Sequence, residues 1–469
     1  MRTLVIFFSF LTISWSACSQ SDSLQFYLET ASKNNPAVLQ KFNEYKAALQ
    51  KIPQAGGLPD PSLSLGVFLN PMELVGGNQV ADIRLMQMFP WFGVLKAAKD
   101  EMSMMAKARY ESFLDAKYQV AYELQQSWYE LYKVKAALII SGKNIDLLHA
   151  IEQIALIRFK TGGTASGGST TPSAAMQPAP SPSGSAGMQT MGGKPSGTSI
   201  SGASLFSGPM QGSSGSSGLA ELYRIQMEAG ELENNLAMLK TRQNSLTARF
   251  NSFLNRSAQA MVTLPDSILP DVLTIPVEAI SDSMLTNNPM LHMLNDEKES
   301  LSARKQMVTR MGYPMVGLGI NYSLINQNPM SAAEMNGKDM VMPMVTLTLP
   351  LYRKKYVAMQ TEADLLQKAA SQGIQATANS LQTDFYEAVQ NYQDAQRRMN
   401  LYAKQYQLAD RSLNILIRSF STAGSGLTDL LRVRQQTLEY GLKQVDAVAD
   451  YNTAIAKLRR LANIEKPQK

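Results

Sequence analysis

The sequence contains two copies of the same succession of short segments, and this internal duplication limits its fold more than any other feature. Short segments recur in the same order along its 469 residues. The matched pairs are SKNNPAVL (32–39) with LTNNPMLH (285–292), DPSLSLGVFLN (60–70) with YPMVGLGINYS (313–323), and GLAELYRIQ (218–226) with GLTDLLRVRQ (426–435). A fold formed by this chain should therefore have two equivalent halves.

Each half predicts the same succession of helices and strands, because period-two alternation marks strands and an Asn-Pro pair favours a helix that starts at the proline. For the first half, residues 22–274, the pattern predicts a helix at 24–52, strands at 61–70 and 79–89, a long helix at 94–160 and a helix at 219–256. For the second half, residues 275–464, it predicts helices within 277–311, strands at 314–325 and 339–349, a long helix at 351–421, a helix at 427–463 and then a tail at 465–469.

The second long helix carries an apolar seam with alternating steps of three and four residues, which is typical of a coiled coil. The seam consists of Phe385, Ala388, Tyr392, Ala395, Met399, Tyr402, Tyr406, Ala409, Leu413, Leu416 and Phe420. Polar residues fill much of the remaining helix surface. We therefore expect long helices with one packed side and one side in water.

The amino terminus has the layout of a secretory signal peptide over residues 1–19: Arg2, a short apolar run and then small residues. Cys18 is the only cysteine and lies at the predicted cleavage site, so it is either a site of lipid attachment or part of the removed segment. No later stretch offers the ~18 uninterrupted apolar residues of a membrane helix, so any further crossing is expected to be made by strands.

Composition argues against two classes of function. The chain has 44 Lys and Arg against 38 Asp and Glu without a dense basic cluster, which disfavours nucleic-acid binding. It has only 2 histidines, and it lacks a phosphate-binding loop, a nucleophile motif and zinc-ligand spacing. We therefore expect neither an enzyme nor a resident cofactor.

The order of these segments resembles the TolC-type outer-membrane efflux family over about residues 23–464. The resemblance rests on the repeated NNP openings, the strand pairs that end in FPWFG and LPLYRKK, and the hairpins after IRF and IRSF. It implies an α+β membrane protein in which three identical chains form a 12-stranded β-barrel continued by an α-helical coiled-coil tunnel. Such a protein would lie in outer-membrane lipid, with its tunnel in the periplasm.

The resemblance also implies a function and partners. Members of the family are passive exit channels that a periplasmic adaptor protein joins to an inner-membrane pump. The cargo would be heavy metal ions such as copper or silver, or drugs. Two alternatives remain: a channel of the same fold for protein secretion, and a non-channel periplasmic coiled-coil structural or adaptor protein. Adaptors have one helical hairpin, whereas this sequence predicts two.

The family resemblance also points to an acidic ring at the periplasmic aperture. By position, the ring residue is Asp429, and Glu221 is its equivalent in the first half. A second acidic residue of some members corresponds to Arg432, so the sequence departs there and a contact between Asp429 of one subunit and Arg432 of another is expected instead. The alternative is that Asp429 is an ordinary acidic residue in the first turn of a helix, stabilised by the helix dipole.

The first hairpin carries a Gly-, Ser- and Pro-rich insertion at 164–217, which predicts disorder because it has little apolar surface to bury. By analogy it lies at the tunnel tip. Its methionines offer thioether sulfur, a soft ligand that suits Cu(I). They are Met176, Met188, Met191 and Met210. The alternative is a passive spacer or an adaptor contact, since methionine is also common where packing must adapt.

Overall fold

The computed structural model describes residues 24–162, 217–273, 275–422 and 426–464. Three predicted segments lie wholly or almost wholly outside these residues and stay predictions. They are the signal peptide with Cys18, the insertion with Met176, Met188, Met191 and Met210, and the tail at 465–469.

The chain divides into two compact units. Unit 1 comprises Met1–Leu138, Leu239–Leu408 and Glu439–Lys469, and unit 2 comprises Ile139–Met238 and Ala409–Leu438. The structure is mostly helical with one small antiparallel sheet, and the sheet belongs to unit 1. None of the helices in the described part of the chain combines the length and the apolar character that a membrane span needs.

The twelve elements follow the same order in both halves. The first half has α1 Leu24–Asn34, α2 Pro36–Gly56, β1 Ser62–Leu74, β2 Gly77–Phe89, α3 Val94–Gly162 and α4 Ser217–Phe253. The second half has α5 Val277–Asn287, α6 Pro289–Met311, β3 Met315–Asn326, β4 Met340–Thr348, α7 Arg353–Ser421 and α8 Leu427–Leu461.

The single helix expected at 24–52 is two helices in the structure. The chain leaves the helical conformation at Asn35, where ψ is 125°, because the ring of a proline disfavours the helical conformation of the residue before it. Asn35 then caps α2, and its Oδ1 accepts hydrogen bonds from the backbone N–H groups of Ala37 (2.9 Å) and Val38 (3.4 Å). The second helix also continues beyond the expected end, through Pro53 to Gly56.

Strand β1 extends past the expected end at Asn70. The pairing register between β1 and β2 shifts between Val67 and Met72, so the chain passes Pro71 in an irregular stretch and then pairs again as far as Leu74. Proline has no N–H to donate to a neighbouring strand and is tolerated at such irregularities. The irregular stretch at Pro71 therefore lies within β1 and not at its end.

The sheet has the order β1-β2-β3-β4, with every neighbouring pair antiparallel. Its central pair joins one strand from each half of the duplicated chain, with Asp82 opposite Ser323. Strands β1 and β4 form its edges, and neither has a second partner strand in the described residues. Each edge therefore presents backbone groups that another strand could pair with.

Unit 1 has two main apolar cores, and each joins a long helix to the elements around it. In the first, Leu124 and Trp128 of α3 pack with Tyr27 of α1 and Phe250 of α4, and the rings of Tyr27 and Phe250 meet edge to face at 5.1 Å. The second joins α5, α7 and α8. It contains Ile280, Met284, Phe385, Ala388, Leu458, Leu461 and Ala462.

The predicted seam of α7 is only partly buried. In unit 1, Phe385, Ala388 and Ala395 are buried as expected, but the side chain of Tyr406 is 36% exposed. In unit 2, Leu413 and Phe420 belong to a separate core with residues from α3, α4 and α8. The regularly spaced seam residues of α7 thus belong to two separate cores, and the seam is more exposed at Tyr406.

Candidate functional site

The sheet has one apolar face, because successive side chains of a strand point to opposite sides and the register aligns them across the four strands. We call it the aliphatic face. Its aliphatic members are Leu63, Leu65 and Val67 of β1, Ala81, Ile83 and Leu85 of β2, Val316, Leu318, Ile320 and Leu324 of β3, and Val341, Pro343, Val345 and Leu347 of β4. Gln87, Phe89 and Tyr322 are on the same face.

Much of the aliphatic face is bare in this chain. The exposed fraction is 69% for Leu65, 76% for Val67 and 75% for Val345. Leaving apolar surface in water costs about 25 cal/mol per Å² relative to burying it. A large bare apolar face marks a membrane or protein contact.

The opposite side of the sheet, which we call the mixed face, carries polar residues, glycines and methionines. Its members are Ser62, Ser64 and Gly66 of β1, Asp82, Arg84, Met86 and Met88 of β2, Gly317, Gly319, Asn321 and Ser323 of β3, and Met340, Met342, Met344, Thr346 and Thr348 of β4. The hydroxyl oxygen of Ser323 accepts hydrogen bonds from the side-chain amides of Gln79 (3.2 Å) and Asn321 (3.5 Å). The sheet therefore separates an apolar side from a polar one.

Aromatic side chains surround one end of the sheet. Trp91 follows β2 and stacks on Tyr313, which precedes β3, with ring centres 5.5 Å apart. The ring of Phe92, which follows Trp91, is almost fully exposed, and so is the ring of Tyr352, which lies between β4 and α7. Arg310 Nη1 donates to the carbonyl oxygen of Gly93 at 2.9 Å and fixes the turn between β2 and α3.

The predicted aperture residues lie in unit 2. Asp429 is in the first turn of α8, and its Oδ1 accepts a hydrogen bond from Arg432 Nη2 at 2.8 Å within the same chain. Both side chains are more than half exposed. Glu221 lies near the start of α4, and the structure gives it no ion pair within the described residues. The structure thus brings Asp429 and Arg432 together on one helix.

Helix α8 also contains a buried cation that was not predicted from the sequence. The side chain of Arg434 is 1% exposed, and Arg434 Nη2 forms an ion pair with Glu228 of α4. In the described part of the chain, Arg434 Nε and Nη1 have no hydrogen-bond partner. Its position three and four residues after Leu431 and Leu430, which are buried, is the signal that predicts this burial.

A network of charges also joins the long helices inside unit 1. Lys133 Nζ lies 2.6 Å from Glu130 Oε1 and 3.3 Å from Asp450 Oδ1, and Arg398 Nη2 lies 3.1 Å from Asp450 Oδ2. Burial lowers the pKa of Lys133, but the hydrogen bond to Glu130 and the charge of Asp450 outweigh burial and raise the pKa above its usual value. These contacts hold α3, α7 and α8 together. They are ion pairs between helices and not a metal site, and no group of three or more His, Cys, Asp or Glu residues in the described ranges is placed to bind a metal ion.

Comparison with known proteins gives matches only at the level of structure. No family model matches the sequence, and no curated protein sequence does. Three similar solved structures are outer-membrane proteins. The CmeC outer membrane channel of Campylobacter jejuni has a TM-score of 0.70 at 12% identity, over 95% of this chain and 87% of that chain.

Two further structures give the same result. The outer membrane protein VceC of Vibrio cholerae has a TM-score of 0.66 at 13% identity, over 94% of this chain and 96% of that chain. The open state of the MtrE outer membrane channel of Neisseria gonorrhoeae has a TM-score of 0.65 at 12% identity, over 94% and 89%. The chain therefore has the fold of the TolC-type outer-membrane efflux channels, as the order of its repeated segments predicted.

Proposed function

We propose that this chain is one third of an outer-membrane exit channel, in which three copies close a 12-stranded β-barrel and their helices continue as a tunnel in the periplasm. The observation that carries the proposal is the sheet with a bare aliphatic face and an opposite mixed face. In the barrel, the aliphatic face contacts lipid and the mixed face lines the water-filled pore.

The two sheet edges support the trimer. In hydrocarbon every backbone N–H and C=O group needs a partner, so a four-stranded sheet with open edges at β1 and β4 is not stable there alone. The smallest membrane barrels have about eight strands, so the four strands of one chain cannot close a barrel and more than one copy is needed. Pairing of β4 with β1 of the next copy satisfies both edges, and three copies close the ring.

The aromatic residues at one end of the sheet fit the same arrangement. Trp91, Phe92, Tyr313 and Tyr352 lie where the strands end and the helical parts of the chain begin or end. Aromatic rings are enriched at the level of lipid headgroups, because one end of the ring system can stay apolar while the other is wet. We assign this end of the sheet to the periplasmic membrane surface.

The proposal includes a pump-coupled role and an aperture. A periplasmic adaptor protein and an inner-membrane pump supply the energy, and the channel itself conducts heavy metal ions or drugs passively. Asp429, with Glu221 as a second candidate, narrows the periplasmic end as a ring of carboxylates that favours cations. Arg432 partly neutralises Asp429 in each chain. Cys18 is the candidate for a lipid anchor.

A pair of arginine substitutions tests which face contacts lipid. Leu65 and Ser64 are neighbours in β1, but only Leu65 is on the aliphatic face. We expect Leu65→Arg to destabilise the inserted barrel by about 2–4 kcal/mol, since the charge then lies in hydrocarbon. We expect Ser64→Arg to assemble normally, because its side chain reaches the aqueous pore.

The measurement is the amount of heat-modifiable trimer in the outer-membrane fraction on gels of unheated and heated samples. The expected result is loss of trimer for Leu65→Arg alone. Equal assembly of both variants would overturn the proposed function. Release of the wild-type protein by osmotic shock without detergent would also overturn it and favour a soluble periplasmic protein.

A further inference from the structure

The mixed face carries a row of methionines that the channel function does not require. Strand β4 contributes Met340, Met342 and Met344, and strand β2 contributes Met86 and Met88. Between these strands lies β3, which has Gly317 and Gly319 on the same face. The methionines therefore flank a strip without side chains.

The two methionines of β2 lie over this glycine strip. A Cβ atom added to Gly317 would be 2.6 Å from Met88 Sδ, so the sulfur occupies the space that a side chain would fill. Met86 extends further, and its Sδ accepts a hydrogen bond from Thr346 Oγ1 of β4 at 3.8 Å. The side chain of Met86 thus reaches across β3 to β4.

The register brings a third methionine to the same place. Gly319 pairs with Met86 on one side and with Met344 on the other. Strands two apart are separated by about 9.6 Å, which two methionine side chains can span from opposite sides. Met86 and Met88 therefore lie over the strip formed by Gly317 and Gly319, and the register places Met344 on the other side of this strip from Met86.

A buried polar atom in the next row lacks a partner. Asn321 is 7% exposed, and its Oδ1 has no hydrogen-bond partner among the residues described. It pairs with Met342 across β3 and β4, so both residues lie on the mixed face, one row from Gly319 and Met344. Buried polar atoms without partners are rare in folded proteins, and a bound water or ion is one explanation for such an atom.

We propose that Met86, Met88 and Met344, with Asn321 beside them, form a binding site for a soft monovalent cation, Cu(I) or Ag(I), on the pore-facing side of the sheet. Thioether sulfur favours such ions over hard ones. The charged residues of the mixed face are Asp82 and Arg84, which balance each other, so the face has little attraction for Na⁺ or K⁺. The site rests on the proposed function, because it faces the pore only if the aliphatic face meets lipid.

Silver binding to the purified full-length protein tests the site. Silver nitrate in chloride-free buffer is titrated calorimetrically into wild-type protein and into the variant Met86→Leu/Met88→Leu/Met344→Leu, in which leucine keeps the volume and removes the sulfur. A control variant changes three exposed methionines elsewhere, Met227→Leu/Met238→Leu/Met261→Leu. We expect the first variant to lose the tightest silver site, about one ion per chain, with at least a tenfold weaker affinity, and the control to keep it.

A second measurement needs no variant and decides the question if the triple variant does not fold. Wild-type protein is exposed to dilute hydrogen peroxide with and without silver, and methionine oxidation is followed by peptide mass spectrometry. We expect silver to slow oxidation of Met86, Met88 and Met344 at least fivefold relative to Met227 and Met261. Equal oxidation with and without silver at the three mixed-face positions overturns the proposal.

The same protein preparation distinguishes an error in the proposed cation site from an error in the proposed channel function. If it forms conducting pores in planar bilayers and silver gives no protection, the channel stands and the cation site is wrong. If it forms neither pores nor heat-modifiable trimers, the channel itself is wrong and the mixed face has no pore to line.

Discussion

Arg434 is an unusual residue for its position, because a guanidinium group is 1% exposed with only one of its nitrogens paired. Removing a charge from water costs several kcal/mol, and one ion pair with Glu228 recovers only part of this cost. Replacing a buried ion pair with apolar residues of similar volume is often neutral or stabilising. The stability of α8 against α4 should therefore depend on which partner is removed.

We expect Glu228→Ala to destabilise this part of unit 2 by about 3 kcal/mol, since it leaves Arg434 buried without any counter-charge. Arg434→Met should lie within ~1 kcal/mol of the wild type or be more stable, and the double variant should resemble Arg434→Met. Hydrogen exchange of peptides from α4 and α8 measures the effect. An Arg434→Met variant less stable than Glu228→Ala would show that the pair stabilises the hairpin more than its burial costs.

At this scale the sequence predicts which residues are near one another only within an element. Asp429 and Arg432 are three positions apart, and the structure has their contact at 2.8 Å within one helix. The contact between subunits that the family resemblance implied stays a prediction. The pairing of Arg434 with Glu228 joins residues of two different helices. Local periodicity indicates that Arg434 is buried, but it contains no information on which acidic side chain meets it.

Among the elements, the two Asn-Pro breaks are equivalent in sequence but not in their contacts. Asn35 caps α2 and also donates from Nδ2 to the carbonyl oxygen of Phe253 at 2.9 Å. Asn288 caps α6, with its Oδ1 accepting from the N–H of Met290 at 2.9 Å. Both asparagines are buried. The first break therefore ties α2 to the end of α4, in addition to starting a helix.

We expect Asn35→Ala to lower stability by about 2–4 kcal/mol, the sum of a lost cap and a partly buried Phe253 carbonyl left unpaired. Asn288→Ala should cost about 1 kcal/mol for the cap alone. The exposed neighbour Asn34→Ala is the control and should behave like the wild type. Thermal unfolding of the three purified variants gives the ranking, and equal losses for Asn35→Ala and Asn288→Ala would contradict the role of Phe253.

The element boundaries show what short-range patterns can and cannot specify. The Asn-Pro pair at 35–36 is a local signal for the start of α2, because proline acts on its direct neighbour, but the single helix expected at 24–52 runs through it. The predicted ends of the strand at residue 70 and of the helix at residue 52 are too early, since β1 continues to Leu74 and α2 continues to Gly56. Pairing with β2 and packing of α2 decide these ends, and both depend on residues distant in sequence.

For the whole molecule, the duplicated order of segments predicts the fold of the single chain, and the structural matches confirm that fold. The order also predicts four strands, but only the pairing of β2 with β3 shows how the two halves join. The alternation predicts two different faces on each strand. The register is needed to show that the aliphatic positions of all four strands coincide, since a shift of one residue would mix the faces.

Closure of the sheet by neighbouring copies is the step on which the channel depends, and cysteine pairs can trap it. Leu65→Cys on edge strand β1 is combined in one chain with a cysteine on edge strand β4, either at Val345 on the aliphatic face or at Met344 on the mixed face. We expect a scan of aliphatic-face positions of β4, starting with Val345 and including Val341 and Leu347, to give disulfides between copies. Met344→Cys should give none, because the two thiols then lie on opposite sides of the sheet.

The number of chains joined by disulfides in each product tests the closure of the barrel directly. Non-reducing gels of boiled outer membranes should show bands up to three linked chains and no further, since the third copy pairs back to the first and the ring is complete. A ladder that continues beyond three would indicate open association along the sheet edges, as expected of unprotected edge strands. Products of a single chain only would mean that β1 and β4 meet within one copy, and the pore would then not require three copies.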